Sequence, residues 1–246
     1  MTQSIDYTPN NQLLAAASTL SNISQLYVDC ADYDNAIRLI EQIKKIREKV
    51  LGKEHPDTAN TYNNIALIYD EQGKYTQAID WYNKALTVRE KVLGKEHPDT
   101  ANTYNNIAEI YYRQGDYAKS LQLYTKALSI FEKVLGKEHP DTANTYNNIA
   151  TVYDSQGQYE KALKWYFKAL TIYEKVIGKE QTDTANIYNN IALIYSKQGE
   201  YVMALDWYFQ ALATRESKLG KEHPDTANTY NNIALIILCW MIMLKQ

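Results

Sequence analysis

Cysteine is nearly absent from this chain of 246 residues. Its two cysteines, Cys30 and Cys239, lie near opposite ends, too far apart for the roughly 4.4–6.8 Å Cα separation of a disulfide, and reduced thiols fit a cytoplasmic protein. An excess of charge of one sign is missing too. The 26 Lys and Arg residues are interspersed with 29 Asp and Glu, so no basic stripe exists to neutralise a phosphate backbone, and no nucleic-acid partner is expected. No apolar run reaches the ~20 residues a membrane span needs. The longest, residues 233–244, has 12, so no stable membrane span is expected. Residues 13–20 imitate the apolar part of a signal peptide, but Asp6 precedes them and no Lys or Arg does. Nor does any stretch alternate with period two for long enough to be a strand.

What the sequence does contain is self-similarity. The segment Leu-Gly-Lys-Glu-His-Pro-Asp-Thr-Ala-Asn-Thr-Tyr-Asn-Asn-Ile-Ala begins at Leu51, Leu93, Leu135 and Leu219, and in altered form at Ile177. Each restart is 42 residues after the last. A fixed period of this size marks a repeat array, whose units bury apolar surface by stacking on their neighbours. The expected fold is all-α, an α-solenoid.

Within one unit, Tyr62, Ile65, Ala66 and Tyr69 recur at the spacing of one helical face. Pro56 suits the first helical position, Asp57 is placed to cap the first turn, and Gly73 suits a left-handed helix end. A second helix opens at Tyr75, buries Ala78, Ile79, Trp81, Tyr82, Ala85 and Leu86, and stops at Gly94. The unit is helix, turn, helix. Counting back 42 residues identifies a diverged first unit, with Ala31 replacing the turn glycine. The expected organisation is a polar tail over 1–12 and an array over 13–246. The array comprises repeats at 13–56, 57–98, 99–140, 141–182 and 183–224, then a partial repeat at 225–246.

These residues resemble the tetratricopeptide repeat. Its pattern of Trp-x2-Leu-Gly-x2-Tyr, then Ala-x3-Phe, then Pro is approached here by Tyr62-x2-Ile65-Ala66-x2-Tyr69 and Ala78-x3-Tyr82. Two features depart from it: the period is 42, and Glu90 stands where the family's late proline would fall. With the longer second helix and the Gly-Lys-Glu-His-Pro-Asp linker, the chain resembles repeats of the kinesin light chain type and their bacterial relatives. The resemblance implies a right-handed superhelix whose first helices line a concave wall, and a non-catalytic module that binds a peptide or helix of a partner protein there.

The residues expected on that wall form columns. Asn60, Asn102, Asn144 and Asn186 make one, and Asn64, Asn106, Asn148 and Asn190 another. A carboxamide both donates and accepts, so it can grip a peptide main chain whatever the side chains are, and the resemblance implies such contacts for the Asn64 column. One turn further along, the columns vary: Leu67, Glu109, Thr151 and Leu193, then Glu71, Arg113, Ser155 and Lys197. These are expected to read the partner's side chains. Nothing in the packing pattern requires asparagine in this stripe, although capping or bridging between repeats is the alternative use for it.

Other signals are weaker. His55, His97, His139 and His223 lie in linkers without the three or four convergent ligands a metal needs, and Gln181 replaces the fifth. Gly-Lys-Glu lacks the frame of a phosphate loop. No catalytic constellation, metal or cofactor is expected. After Ala234 the repeat gives way to an apolar run, read as a fragment's end, as a helix that pairs with a second copy in a homodimer, or as a shallow membrane contact. Besides an adaptor, the sequence is compatible with the sensor or regulatory part of a larger multidomain protein, or with a structural spacer.

Overall fold

The computed structural model describes residues 9–243; what was expected of 1–8 and 244–246 lies outside the described residues. The chain divides between Ile130 and Phe131 into two compact units. The first holds α1 (Pro9–Asp29), α2 (Tyr33–Val50), α3 (Pro56–Glu71), α4 (Tyr75–Val92), α5 (Pro98–Arg113) and most of α6 (Tyr117–Val134). The second holds α7 (Pro140–Ser155), α8 (Tyr159–Ile172) with a closing π-helical turn (Tyr173–Ile177), α9 (Thr182–Lys197), α10 (Tyr201–Leu219) and α11 (Pro224–Met243). No strand occurs among the described residues. α1 opens at Pro9, so the last four residues of the expected polar tail are helical.

The linker sets where each first helix begins. His55, and not Asp57 as the sequence suggests, is the N-cap of α3: its Nδ1 accepts from the Asp57 amide at 3.1 Å, with Pro56 behind it in the first turn. Asp57 falls two positions too far into the helix to cap, and its carboxylate lies 3.7 Å from the same imidazole nitrogen. His97, His139 and His223 repeat the cap, whereas Gln181 makes no side-chain cap bond. Thr58 then ties the helix start to the linker through a 2.8 Å bond to the Gly52 carbonyl. At the other end, the turn needs a left-handed residue. Gly73 supplies it at φ 69°, and in the diverged first hairpin Ala31 is forced to φ 56°.

Small residues let the helices approach. Ala66 and Ala78 are fully buried with Tyr82 and pack on Ile107 and Ile110 of the next hairpin. The second unit repeats this with Ala192, Ala204, Tyr208, Ile233 and Ile236. Each fully buried isoleucine contributes about 1.5–3 kcal/mol, and a larger residue at the alanines would force the helices apart. Trp81 stacks 5.6 Å from Tyr62 and packs against the α2 cluster, so it sits at a repeat junction as expected. Glu90, the departure from the family pattern, has a structural use: it accepts the Tyr104 hydroxyl across the hairpin junction. Glu48 and Tyr62 do the same at 2.7 Å, and Glu174 and Tyr188 at 2.6 Å.

α11 differs from the other first helices. Tyr188 and Ala192 of α9 are buried, but the matching Tyr230 and Ala234 of α11 are exposed, as are Leu235, Leu238 and Met241. The second helix that covers this face in a complete hairpin is lacking among the described residues. No described helix is long and apolar enough to cross a membrane.

Candidate functional site

The side of the first helices that bears Asn64, Leu67 and Glu71 is left open by hairpin packing. Ile65, Ala66 and Ile68 turn into the core, while Leu67 remains 39% exposed and Glu71 is exposed. In the first unit this side forms one wall of a cleft of about 130 Å³. Asn64, Leu67, Ile68 and Glu71 line it from α3, and Ser21, Ser24, Gln25 and Val28 face them from α1. Three of the residues expected to touch a partner thus meet in one concavity.

The asparagine columns differ in what they already hold. Asn60 accepts from Arg89 at 2.7 Å and Asn186 accepts from Arg215 at 2.7 Å, while Asn144 accepts from the Tyr173 hydroxyl. The expectation that packing gives this stripe no reason to be asparagine is therefore corrected: the Asn60 column binds polar groups projected by the second helices. Asn102 is exposed. Asn63 is buried and takes long 3.4 Å contacts from Arg89 and Asn106. In the neighbouring column, Asn64 and Asn190 are half-buried and make no side-chain hydrogen bond among the described residues, and Asn148 receives only a 3.5 Å contact from Asn147. In this column Asn64 and Asn190 are the amides that remain available.

The varied positions meet tyrosine hydroxyls coming from the second helices. Tyr124 donates to Glu109 at 2.7 Å, and Thr151 pairs with Tyr166 at 3.0 Å. Tyr82 finds Leu67 at the corresponding place, and its buried hydroxyl has no hydrogen-bond partner. Its neighbours include Asp70, Glu71 and Arg113; burial first, then the Asp70 charge, pushes the phenol far above its ordinary value. The next column is tied down electrostatically. Arg113 reaches Glu109 at 3.1 Å and Asp70 at 3.4 Å, and Lys197 reaches both oxygens of Asp154 at 2.7 and 2.8 Å. Ser155 is exposed, and Leu193 is 36% exposed.

Asp70 and Asp154 were missed by sequence reasoning. They immediately precede Glu71 and Ser155, and each pairs with a cation 43 residues on, a spacing visible in the repeat. Asp70 is 7% exposed, and burial raises its carboxyl above the usual range while Arg113 opposes the shift.

The tetratricopeptide repeat model matches residues 15–91, 71–133, 99–175 and 183–238, covering both units and the hairpins described above. The chain belongs to the tetratricopeptide repeat family. Its hairpins are similar in fold to those of solved kinesin-light-chain-like repeat proteins. BtubC (BKLC) of P. vanneervenii is 22% identical, with a TM-score of 0.67 over 93% of this chain and 83% of that one. A kinesin-light-chain-type protein of nearly identical TPR-like repeats from Podosopora anserina is also 22% identical, with a TM-score of 0.67 over 83% and 97%. Pseudomonas aeruginosa pilF, at 16% identity, matches with a TM-score of 0.60 over 93% and 91%. At these identities the likeness is one of fold. No curated protein matches the chain significantly. Tetratricopeptide arrays are generally protein-interaction modules, and the family's chemistry is that of surfaces.

Proposed function

We propose that the chain is a non-catalytic interaction module that holds an extended peptide segment of a partner protein along the open side of its first helices. The supporting observation is the contrast between asparagine columns: Asn60, Asn144 and Asn186 serve the fold, while Asn64 and Asn190 keep their carboxamides uncommitted among the described residues. A half-buried amide with no internal partner favours a ligand that can satisfy it. The varied residues Leu67, Glu71, Glu109, Arg113, Thr151, Ser155, Leu193 and Lys197 then set which side chains are accepted. Partner capture from lysate by the wild-type chain, compared with Asn64→Ala/Asn190→Ala, tests this. Capture should be lost with thermal stability nearly unchanged; capture that survives, or a loss explained by unfolding, would return these amides to a structural role. The cytoplasm is the compartment proposed.

For α11 the reading is pairing with a second copy. Tyr230 and Ala234 are exposed where α3, α5, α7 and α9 bury the matching pair, and Leu235, Leu238 and Met241 extend that face. Deleting residues 235–246 should convert a dimer to a monomer in light scattering; a monomer before and after deletion ends the idea.

A further inference from the structure

The open side of the first unit has the chemistry to select one kind of side chain. Resting on the interaction reading above, we propose that the cleft between α1 and α3 receives a lysine or arginine side chain of the bound segment. Val28, Ile68 and Leu67 give the cleft an apolar lining, and Glu71 stands exposed beside them. That combination suits a long basic side chain, whose methylene stem covers apolar surface while its charged end stays at the edge.

No cation of the described residues forms an ion pair with Glu71, and only the charge of Arg113 acts on it from a distance. α1 contains neither lysine nor arginine. Its neighbour Asp70 has one long contact, 3.4 Å, with an Arg113 that is held more closely by Glu109 at 3.1 Å. Three carboxylates therefore share one guanidinium. The buried Tyr82 hydroxyl beside Asp70 is a further polar group without a partner.

In the second unit Asp154, the counterpart of Asp70, is fully paired. Asp154 takes the Lys197 ammonium on both oxygens, and Ser155 and Leu193 stand where the first unit has Glu71 and Glu109. An ammonium held at the end of a first helix is thus a geometry that the repeat builds, there between α7 and α9. In the first unit the surplus negative charge draws a partner's cation and repels aspartate or glutamate. Asn64, next to the cleft with a free carboxamide, is placed to hold the main chain that carries the basic residue.

The test is selection of binders from a random peptide library on the full chain. The affinity of a selected peptide is then measured by fluorescence anisotropy, with its basic residue intact or replaced by norleucine, on wild type, Glu71→Gln and Glu71→Lys. Selected peptides should share a lysine or arginine. Norleucine should weaken binding roughly 10-fold, Glu71→Lys should do so only while the basic residue is present, and Glu71→Gln should fall between. Glu71 is exposed, so both variants fold, which circular dichroism verifies. Binders without a basic residue, or an affinity indifferent to Glu71→Lys, overturn this inference and leave the interaction reading standing. Enrichment of no peptide at all overturns both.

Discussion

Arg89 and Asn60, 29 residues apart, are joined by a 2.7 Å hydrogen bond from the guanidinium to the carboxamide oxygen. The same guanidinium donates to Thr103 at 2.6 Å and to the Asp99 carbonyl at 2.9 Å, so one buried side chain ties α3 and α4 to α5. Arg215 repeats the arrangement with Asn186, Thr229 and Asp225. Burial lowers the Arg89 guanidinium from its ordinary value, and the nearby Asp99 charge resists that shift. Phe131 and Tyr173 hold the corresponding sequence positions in the third and fourth repeats.

Arg89→Ala should destabilise the chain by about 2–4 kcal/mol, since it leaves buried acceptors unpaired and a void between helices. Arg89→Phe, the residue the third repeat uses, should cost less. Urea unfolding followed by circular dichroism reads both. A cost for alanine below ~1 kcal/mol would mean that the junction is held by apolar packing alone.

Ala31 is the one described non-glycine residue with positive φ. Ala31→Gly relieves that strain and should raise stability by roughly 0.5–1 kcal/mol, the greater freedom of glycine in the unfolded chain offsetting part of the gain. Thermal melts should show the rise; a fall would mean that the turn tolerates alanine without strain.

Gln181 is the only linker residue in the cap column that is not histidine, and it makes no side-chain cap bond. Gln181→His should add about 0.5–1 kcal/mol by capping α9, and His97→Ala should remove about as much from α5. Hydrogen exchange at the first turns of α5 and α9 localises the effect. If protection of the α9 amides does not change, the imidazole is not acting as a cap there.

Asp70 gives a pH signature. Its folded carboxyl is raised by burial, so across the window from its unfolded value up to that raised value the folded state binds more protons than the unfolded. Its contribution is therefore most favourable below the unfolded value and declines as pH rises through the folded one. Asp70→Asn should remove this decline and be at least as stable as wild type at neutral pH. Unfolding curves between acid and neutral pH check it: an Asn variant that is less stable at neutral pH would show that the Arg113 contact outweighs the cost of burial.

The hairpins were legible because their signals are local. Proline, a turn glycine and alanine at helical spacing act within one or two turns, and the 42-residue period multiplies them, so Pro56 and Tyr75 could be placed as helix starts. The cap was misassigned to Asp57 because histidine and aspartate both offer acceptors two positions apart, and only backbone direction decides which one meets the amide. Asn60 and Asn64 looked equivalent for a similar reason: composition and period treat them alike.

The amino-acid sequence by itself determined the repeating helical hairpin, its length and the face each helix buries, since these follow from side-chain spacing and turn chemistry along a short stretch. Tertiary structure alone decided which carboxamides are committed to Arg89, Tyr173 and Arg215, and that Asp70 lies half-answered beside Glu71. Those outcomes depend on groups that folding brings together from 29 or 43 residues away, where burial removes water as the competing partner.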